Sequence, residues 1–225
     1  MTGTEIKQYP IALHLTVKDV KKSISFYRDT LGFTLSESWP ENDPKWCNLL
    51  LDKQSVMLGA PCSPEAAKEW GCTEAEIEIL KRDTQNYSKN RPGVGVAIYL
   101  EVPDVDGYHD RVLSRGAKPL MAPKTQFYGL REFRIEDPDG YRLAFYTPVA
   151  MESCQSCSTP LKDAQPGQMY CQHCTDSGGK LKPFKEVFEG TVSGYFMAMQ
   201  KMSRPEAEKA AKAHLSKMPA WKGKV

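Results

Sequence analysis

The feature that most constrains the fold is an internal repeat. The segment IALHLTVKDV, residues 11–20, aligns without a gap on VAIYLEVPDV, residues 96–105. Likewise DKQSVMLGAP, residues 52–61, aligns on DGYRLAFYTP, residues 139–148. In each copy an alternating strand pattern is followed by helical spacing and then by a further strand pattern. The repeat therefore predicts two strand–helix–hairpin modules that together span residues 9–148.

The first copy shows how one module is built. Ile24, Tyr27 and Leu31 recur at helical spacing, and Gly32 is placed to end that helix. The apolar strings NLLL and SVMLGAP then flank turn residues 52–53, which is the pattern of a hairpin. In the second copy the corresponding helix is predicted to run through YHDRVLSRG.

A polar stretch connects the two copies. Residues 63–95 lack the strand alternation of the modules, and they contain two segments with a helical pattern. We predict these helices from Glu65 to Trp70 and from Glu74 to Leu80. The strand pattern begins again at Val96.

Composition excludes several classes of protein. No apolar run approaches the roughly 20 residues of a membrane span, and the first residues, MTGTEIKQYP, lack the segments of an export signal. A cytoplasmic location is therefore expected. The net charge of +2 divides into −2 for residues 1–148 and +4 for residues 149–225. A mildly basic tail of this kind is typical of a solvated helical surface.

Two segments resemble a known superfamily. VKDVKKSISFYRDTLGF, residues 17–33, and GLREFRIEDPDGYRLAFYTP, residues 129–148, are similar to the vicinal oxygen chelate superfamily, the glyoxalase and bleomycin-resistance group. The combination of the FYRDTLGF helix end and the DPDG turn carries the resemblance, which covers about two thirds of the chain. It implies an α+β fold in which two βαβββ modules form a cup.

The resemblance also identifies where a catalytic metal would be held. Enzymes of this superfamily characteristically bind a divalent metal with His and Glu side chains, two from each module. Their positions correspond here to Ala12, Met57, Ala97 and Ala144. None of these side chains can ligate a hard divalent ion. His14 and Glu101 are the remaining donors on the predicted cup face, and two are too few for such a site.

The strand alternation supports this placement. One apolar face of the second copy is expected to pack on the helices, and it consists of Val96, Ile98, Leu100 and Val102. The opposite face would direct Ala97, Tyr99 and Glu101 towards the cup. We therefore expect a cup without a bound metal.

Without a metal, the resemblance points to the bleomycin-resistance branch, whose dimeric members bind a drug in a cleft. A small-molecule pocket is usually an apolar, aromatic-lined concavity with a few orienting polar groups. The residues expected to line it are His14, Thr16, Trp39, Trp46, Tyr99, Glu101, Phe127, Tyr128, Arg142 and Tyr146. They predict a small-molecule ligand that is planar or aromatic, and the resemblance implies that the protein binds it as a homodimer.

The cysteines predict a second kind of site. Cys154 and Cys157 form one CxxC pair and Cys171 and Cys174 form another, with 13 residues between the pairs. Two such pairs can supply four thiolates in the tetrahedral array that structural zinc prefers. Because four sulfur ligands leave no position for water, we predict one structural Zn²⁺ per chain. Packed or exposed thiols without catalytic function are predicted at Cys47, Cys62 and Cys72.

The C-terminal third resembles a zinc-ribbon family found in uncharacterised bacterial proteins. The resemblance rests on CQSCSTPL, YCQHC and the helical FMAMQKMSRPEAEKAAKAHLSKMPAWK in this order, and Ser158 takes the place of the family's small residue after the first CxxC. Ser203 and Glu206 have capping-box spacing. A helical face is predicted from Ala207, Ala210, Ala211 and Leu215. Core packing is predicted for Met197, Met199 and Met202.

These patterns divide the chain into a glyoxalase/bleomycin-resistance-like domain at 1–148, a zinc ribbon at 149–180 and the helical tail of that ribbon domain at 181–225. The tail lacks the interleaved Arg and aromatic residues that bind nucleic acids, so a nucleic-acid partner is not favoured. The leading interpretation is a cytoplasmic, dimeric, metal-free cup that sequesters or senses a small organic compound.

Two alternatives stay open. The first is a metal-independent lyase, isomerase or hydrolase, because His14, Tyr99 and Glu101 could supply an acid and a base. No catalytic residue is assigned, since nothing in the sequence indicates a shifted pKa. The second is a ligand-responsive regulator whose zinc ribbon contacts DNA or protein.

Overall fold

The computed structural model describes residues 13–69, 71–90 and 92–224. Ala12, a predicted metal position, and Trp70, the predicted end of a helix, lie outside these ranges. The chain divides into two compact units, one of Met1–Pro123 with Phe133–Tyr146 and the other of Lys124–Glu132 with Thr147–Val225. No described helix is long and apolar enough to cross a membrane.

The first module is a four-stranded sheet with one helix. The strands are β1 (Leu13–Thr16), β2 (Thr34–Trp39), β3 (Trp46–Leu51) and β4 (Gln54–Gly59), and helix α1 (Val20–Ser25) continues as a π-helical turn over Phe26–Thr30. The sheet order is β1-β4-β3-β2. Strand β1 is parallel to β4, and the other neighbours are antiparallel.

The connector contains helices α2 (Pro64–Glu69) and α3 (Glu74–Lys89). The prediction that the second helix ends at Leu80 was wrong, because α3 continues to Lys89. Thr73 and Glu76 form a capping box that starts the helix. No glycine or proline occurs between Glu74 and Pro92, so no residue in this segment breaks the helix before Lys89.

The second module repeats the first. It consists of β5 (Ala97–Glu101), α4 (Val105–Ser114), β6 (Met121–Thr125), β7 (Leu130–Glu136) and β8 (Arg142–Pro148), in the sheet order β5-β8-β7-β6. His14 lies opposite Met57 in the first sheet, and Tyr99 lies opposite Ala144 in the second. The sequence repeat aligns His14 with Tyr99 and Met57 with Ala144, so the two sheets have the same register. The predicted α+β fold of two βαβββ modules is therefore confirmed.

Helix starts also match between the modules. The carboxylates of Asp19 and Asp104 cap α1 and α4 by accepting hydrogen bonds from the backbone N–H groups of Lys22 and Gly107. An aspartate at this position satisfies an N–H group that the helix itself leaves unpaired. The VKDV and VPDV strings thus perform the same structural task.

One hydrophobic core serves both modules. Residues of α1 and α4 pack with alternate residues of both sheets, and the largest buried side chains include Tyr27, Leu31, Leu49, Leu58, Phe133, Ile135, Leu143 and Phe145. On β5, Ile98 and Leu100 face this core as predicted, while Tyr99 is 42% exposed. Val96 was also predicted to face the core, but it precedes β5 and is 48% exposed. We call the sheet faces opposite the core the open faces.

The second unit contains the cysteine pairs and two helices. Helix α5 (Phe184–Gly190) continues as a π-helical turn over Thr191–Met197, and α6 (Arg204–Leu215) begins at the predicted capping box of Ser203 and Glu206. The predicted face of α6 is confirmed, since Ala207, Ala211 and Leu215 are fully buried and Ala210 is half-buried.

The methionine stripe was predicted wrongly in part. Met197 packs in a small core with Val192, but Met199 is 70% exposed and Met202 is 37% exposed. The helix ends before these two residues, and Lys201 takes a positive φ of 58° that turns the chain towards α6. Side chains in this turn have no helical face along which to continue a stripe.

The tip of the β6–β7 hairpin belongs to the second unit. The backbone N–H of Val149 donates a 2.9 Å hydrogen bond to the carbonyl of Gly129, and the N–H of Gly167 donates one of 3.0 Å to the carbonyl of Val149. These bonds connect the hairpin tip with the segment that leads into the cysteine pairs.

Candidate functional site

The open face of the second module carries a polar and aromatic cluster. The rings of Tyr99 and Tyr146 lie 6.0 Å apart between centroids. The Tyr146 hydroxyl donates to Oε2 of Glu101 at 3.4 Å, and Nη2 of Arg134 donates to the Tyr99 hydroxyl at 3.1 Å. Burial, with the Glu101 carboxylate as a lesser cause, raises the pKa of Tyr146. Tyr146 therefore stays a protonated donor at neutral pH.

Arg134 was missed by the sequence analysis. It lies on β7, and the alternation of EFRIE puts its side chain on the same face as Tyr99 only once β7 is known to pair with β8. Arg142 lies on β8 opposite Ala97, whereas Glu101 lies opposite Tyr146 at the other end of the ladder.

The open face of the first module is arranged around His14. The imidazole lies over Gly59, whose missing side chain leaves the space that the ring occupies. Partial desolvation lowers the pKa of His14, so the ring is neutral at pH 7. The Ser55 hydroxyl donates a 2.7 Å bond to the Asn48 side chain, and the sequence analysis did not identify this pair.

The remaining predicted pocket residues occupy several places. Thr16 is half-buried at the end of β1, where it lies opposite Gly59. Trp39 and Trp46 lie opposite each other on β2 and β3, with Trp39 56% exposed. The rings of Phe127 and Tyr128 meet edge to face at 5.1 Å in the hairpin tip, which belongs to the second unit.

The four cysteines of the CxxC pairs converge in the second unit. The Sγ atoms of Cys154, Cys157, Cys171 and Cys174 all lie within 4.8 Å of one another. Cys154, Cys171 and Cys174 are buried, and Cys157 is half-buried. Four converging sulfur atoms with no other ligand are the donor set of a structural zinc site.

Proximity perturbs the thiols strongly. Hydrogen bonds from Cys157 and Cys174 lower the pKa of Cys154. The hydrogen bond to Cys154 raises the pKa of Cys157 to about 11, and the pKa of Cys174 is raised further by its hydrogen bonds to Cys154 and Cys157. The cluster therefore favours a thiolate at Cys154, which the neighbouring thiols stabilise by hydrogen bonds. A divalent cation would let all four deprotonate, because metal binding displaces thiol protons.

The end of the chain supports the first knuckle. The indole N–H of Trp221 donates 3.1 Å bonds to both the carbonyl and the hydroxyl oxygen of Ser156, and both residues are buried. Nε2 of His214 lies 3.0 Å from the carbonyl of Cys157 and 3.2 Å from the Ser158 hydroxyl. Ser158 has a φ of 59°, a left-handed conformation that favours glycine or a small residue.

The fold and the cysteine cluster together define a two-domain protein: a paired βαβββ domain followed by a zinc-ribbon type domain. The chain belongs to the Glyoxalase/Bleomycin resistance protein/Dioxygenase superfamily, whose family profile matches residues 10–145. Residues 153–222 match the family described as "Putative zinc ribbon domain". Both resemblances seen in the sequence are confirmed.

Two relatives each match 60% of this chain. The chain is 24% identical over 136 residues to a protein named Bleomycin resistance protein from Geobacillus stearothermophilus, a match covering 60% of this chain and 93% of the relative. It is 27% identical over 145 residues to the uncharacterized protein YraH of Bacillus subtilis (strain 168), covering 60% of this chain and 95% of the relative. Among solved structures it is similar to TioX from Micromonospora sp. ML1, with 17% identity, a TM-score of 0.47 and coverage of 62% and 98%.

Proposed function

We propose that the first domain binds a small organic molecule on its open faces without the help of a metal ion. The observation that carries this proposal is the chemistry of the closing strands. Met57 and Ala144, the cross-strand neighbours of His14 and Tyr99, offer no oxygen or nitrogen ligand. Lewis-acid catalysis needs a metal held by about three or four such donors in one cavity.

The groups that are present suit recognition of a planar ligand. Two tyrosine rings provide apolar surface with a hydroxyl at the edge, and Arg134 and Glu101 hold those hydroxyls by hydrogen bonds. Neutral His14 offers one donor and one acceptor to a ligand. Such a face matches the usual binding site, an aromatic surface with a few orienting polar groups.

The similarity to the relative named Bleomycin resistance protein favours a drug-like organic molecule as the ligand of this domain. We propose that the chain works as a cytoplasmic homodimer and sequesters or senses its ligand. Light scattering of the purified protein tests the dimer, and a monomeric mass at micromolar concentration would contradict it.

For the second domain we propose one structural zinc ion per chain, held by Cys154, Cys157, Cys171 and Cys174. Their sulfur atoms lie close enough to share one ion, and four thiolates fill its coordination shell. The ion then stabilises the knuckles and the helices attached to them, and it takes no part in chemistry on the ligand.

Ligand binding is tested by calorimetric titration with metal-free bleomycin and by NMR screening with planar aromatic fragments. The expected result is saturable binding that Tyr99→Ala weakens by about tenfold or more, roughly 1.4 kcal/mol. Tyr195→Ala is the matched control, because Tyr195 is a tyrosine of similar exposure in the other domain. Absence of binding by every probe, or binding that Tyr99→Ala leaves unchanged, would refute the proposal.

The metal assignment is tested by elemental analysis of the full chain. The wild type is expected to hold one equivalent of zinc, and Cys174→Ser is expected to hold none. Cys62→Ser serves as the control that keeps the metal. A stoichiometric metal that persists when all four cysteines are replaced by serine would show a second site and would overturn the metal-free assignment of the first domain.

A further inference from the structure

A small cavity lies at the junction of the two modules and shares Glu101 with the open-face cluster of Tyr99 and Tyr146. Its volume is about 230 Å³. It is bounded by the end of α1, the β3–β4 turn, the chain that follows β5, and one side of α4. The lining residues with apolar side chains are Leu31, Leu51, Val102, Pro103, Tyr108 and Val112.

Two arginines line one side of this cavity. Arg111 and Arg115 are four residues apart at the end of α4, so they lie on the same helical face. The Arg111 guanidinium lies 5.6 Å from the centre of the Tyr108 ring. A guanidinium nitrogen of Arg115 lies 2.8 Å from the position that a Cβ atom on Gly32 would take. Gly32, with a φ of 82°, therefore leaves the space that the Arg115 side chain fills.

Within the described part of the chain, neither arginine forms an ion pair. Among the residues that the structure describes, no carboxylate lies within 4.0 Å of either guanidinium. The nearby Tyr108 hydroxyl already donates a 2.6 Å bond to the carbonyl of Leu31. The carboxylate of Glu101, which also lines the cavity, accepts from Tyr146. The two exposed guanidinium groups line this space together with six apolar residues and the carboxylates of Asp52 and Glu101, so its walls are mixed in polarity.

We propose that this cavity binds a short-chain carboxylate, with its carboxyl group held by Arg111 and Arg115 and its alkyl chain against the apolar wall. Guanidinium groups are planar forks that match carboxylate oxygens in pairs. The volume is below the roughly 300 Å³ at which drug-sized pockets begin, which limits the ligand to a few carbon atoms. The apolar wall favours an organic acid over inorganic phosphate.

The probe for this site is sodium butyrate, titrated into the full chain at constant ionic strength and followed by NMR. Butyrate is expected to shift the methyl resonances of Leu31, Leu51 and Val112 in a saturable way. Butyramide, which has the same shape without the charge, is expected not to bind. Arg111→Gln and Arg115→Gln should each raise the Kd about tenfold or more, whereas Lys118→Gln, which removes an exposed charge nearby, should change it less than about twofold.

Two further variants test the details of recognition. Arg111→Lys keeps the charge but loses the fork, and an intermediate loss of affinity is expected. Asp52→Asn removes a carboxylate from the cavity rim and should lower the Kd. Equal binding of butyramide, equal or tighter binding of inorganic phosphate, wild-type affinity in both glutamine variants, or no saturation at about 50 mM butyrate would each overturn the proposal.

Discussion

The hydroxyl of Tyr27 donates a 3.0 Å hydrogen bond to Oδ2 of Asp137, across 110 residues of sequence. The other carboxylate oxygen, Oδ1, accepts from the backbone N–H groups of Asp139, Gly140 and Tyr141. One side chain therefore shapes the DPDG turn of the second module and bonds to the helix of the first. The DPDG sequence is therefore needed both to form the turn and to join the two modules through the Tyr27–Asp137 hydrogen bond.

Tyr27→Phe is expected to lower the free energy of unfolding by about 1–3 kcal/mol, because it leaves a buried carboxylate oxygen without its donor. Urea denaturation of the first domain measures the loss. Tyr146→Phe is the matched control, since its 3.4 Å bond is long and its ring is half-buried, and a change below about 0.5 kcal/mol is expected. Equal losses in both variants would contradict the special role of Tyr27.

Asp137→Asn is expected to change how stability depends on pH. Burial, partly offset by hydrogen bonds, raises the pKa of Asp137 above its ordinary value of 3.8. A carboxyl with a raised folded-state pKa stabilises the protein in its protonated form. The wild type should therefore lose stability as pH rises from that ordinary value through the folded-state pKa.

The asparagine variant has no titrating group at this position. Its stability relative to the wild type should therefore rise as pH increases from the ordinary carboxyl pKa through the folded-state pKa of Asp137. Urea midpoints at closely spaced pH values measure it. A difference that stays constant from pH 3.5 to pH 7 would show that Asp137 does not titrate abnormally.

Gly59→Ala tests the placement of His14. The added Cβ would lie 2.9 Å from Cε1 of the imidazole and closer still to Nε2, so the ring or the strand must move. A loss of about 1–3 kcal/mol is expected, as for other overpacked sites. Adding His14→Ala should recover most of that loss. Thermal denaturation of both single variants and the double variant forms a double-mutant cycle, and simple additivity would contradict the contact.

Removal of zinc is expected to unfold the second domain while the first stays folded, because metal binding supplies much of the folding free energy of such small domains. Hydrogen exchange after treatment with a strong chelator measures the effect. Amides of α6 should lose protection, and those of β1 and β5 should keep it. Protection of α6 that survives both chelation and the Cys174→Ser substitution would refute this dependence.

Local patterns predicted strands β1, β3, β4, β5 and β8, the capping box of α6 and the convergence of the four cysteines. The repeat aligned His14 with Tyr99 and Met57 with Ala144. In the structure His14 pairs with Met57 and Tyr99 pairs with Ala144, so the two modules have the same strand register. The CxxC spacing was enough to predict that the four sulfur atoms converge, because two CxxC knuckles have few ways to bring four sulfur atoms together.

Contacts between distant elements were not predictable in this way. Arg134 reaches Tyr99 only through the pairing of β7, β8 and β5, and the Arg111–Arg115 cavity exists only where the two modules meet. Sequence periodicity shows which face of a helix or strand is apolar, but it does not show which other element packs against that face. The exposed Met199 shows the same limit, because the predicted stripe requires a continuous helix, whereas the helix ends at Met197 and the chain turns at Lys201.

The hydrogen bonds of Trp221 to Ser156 have a practical consequence for protein engineering. A zinc-binding cassette cut out at the second CxxC would keep every ligand and still lose the indole that closes over the first knuckle. A portable version of this ribbon must extend through Trp221. The C-terminal boundary of the ribbon is set by the contact of Trp221 with Ser156, so the cysteine motif alone does not define it.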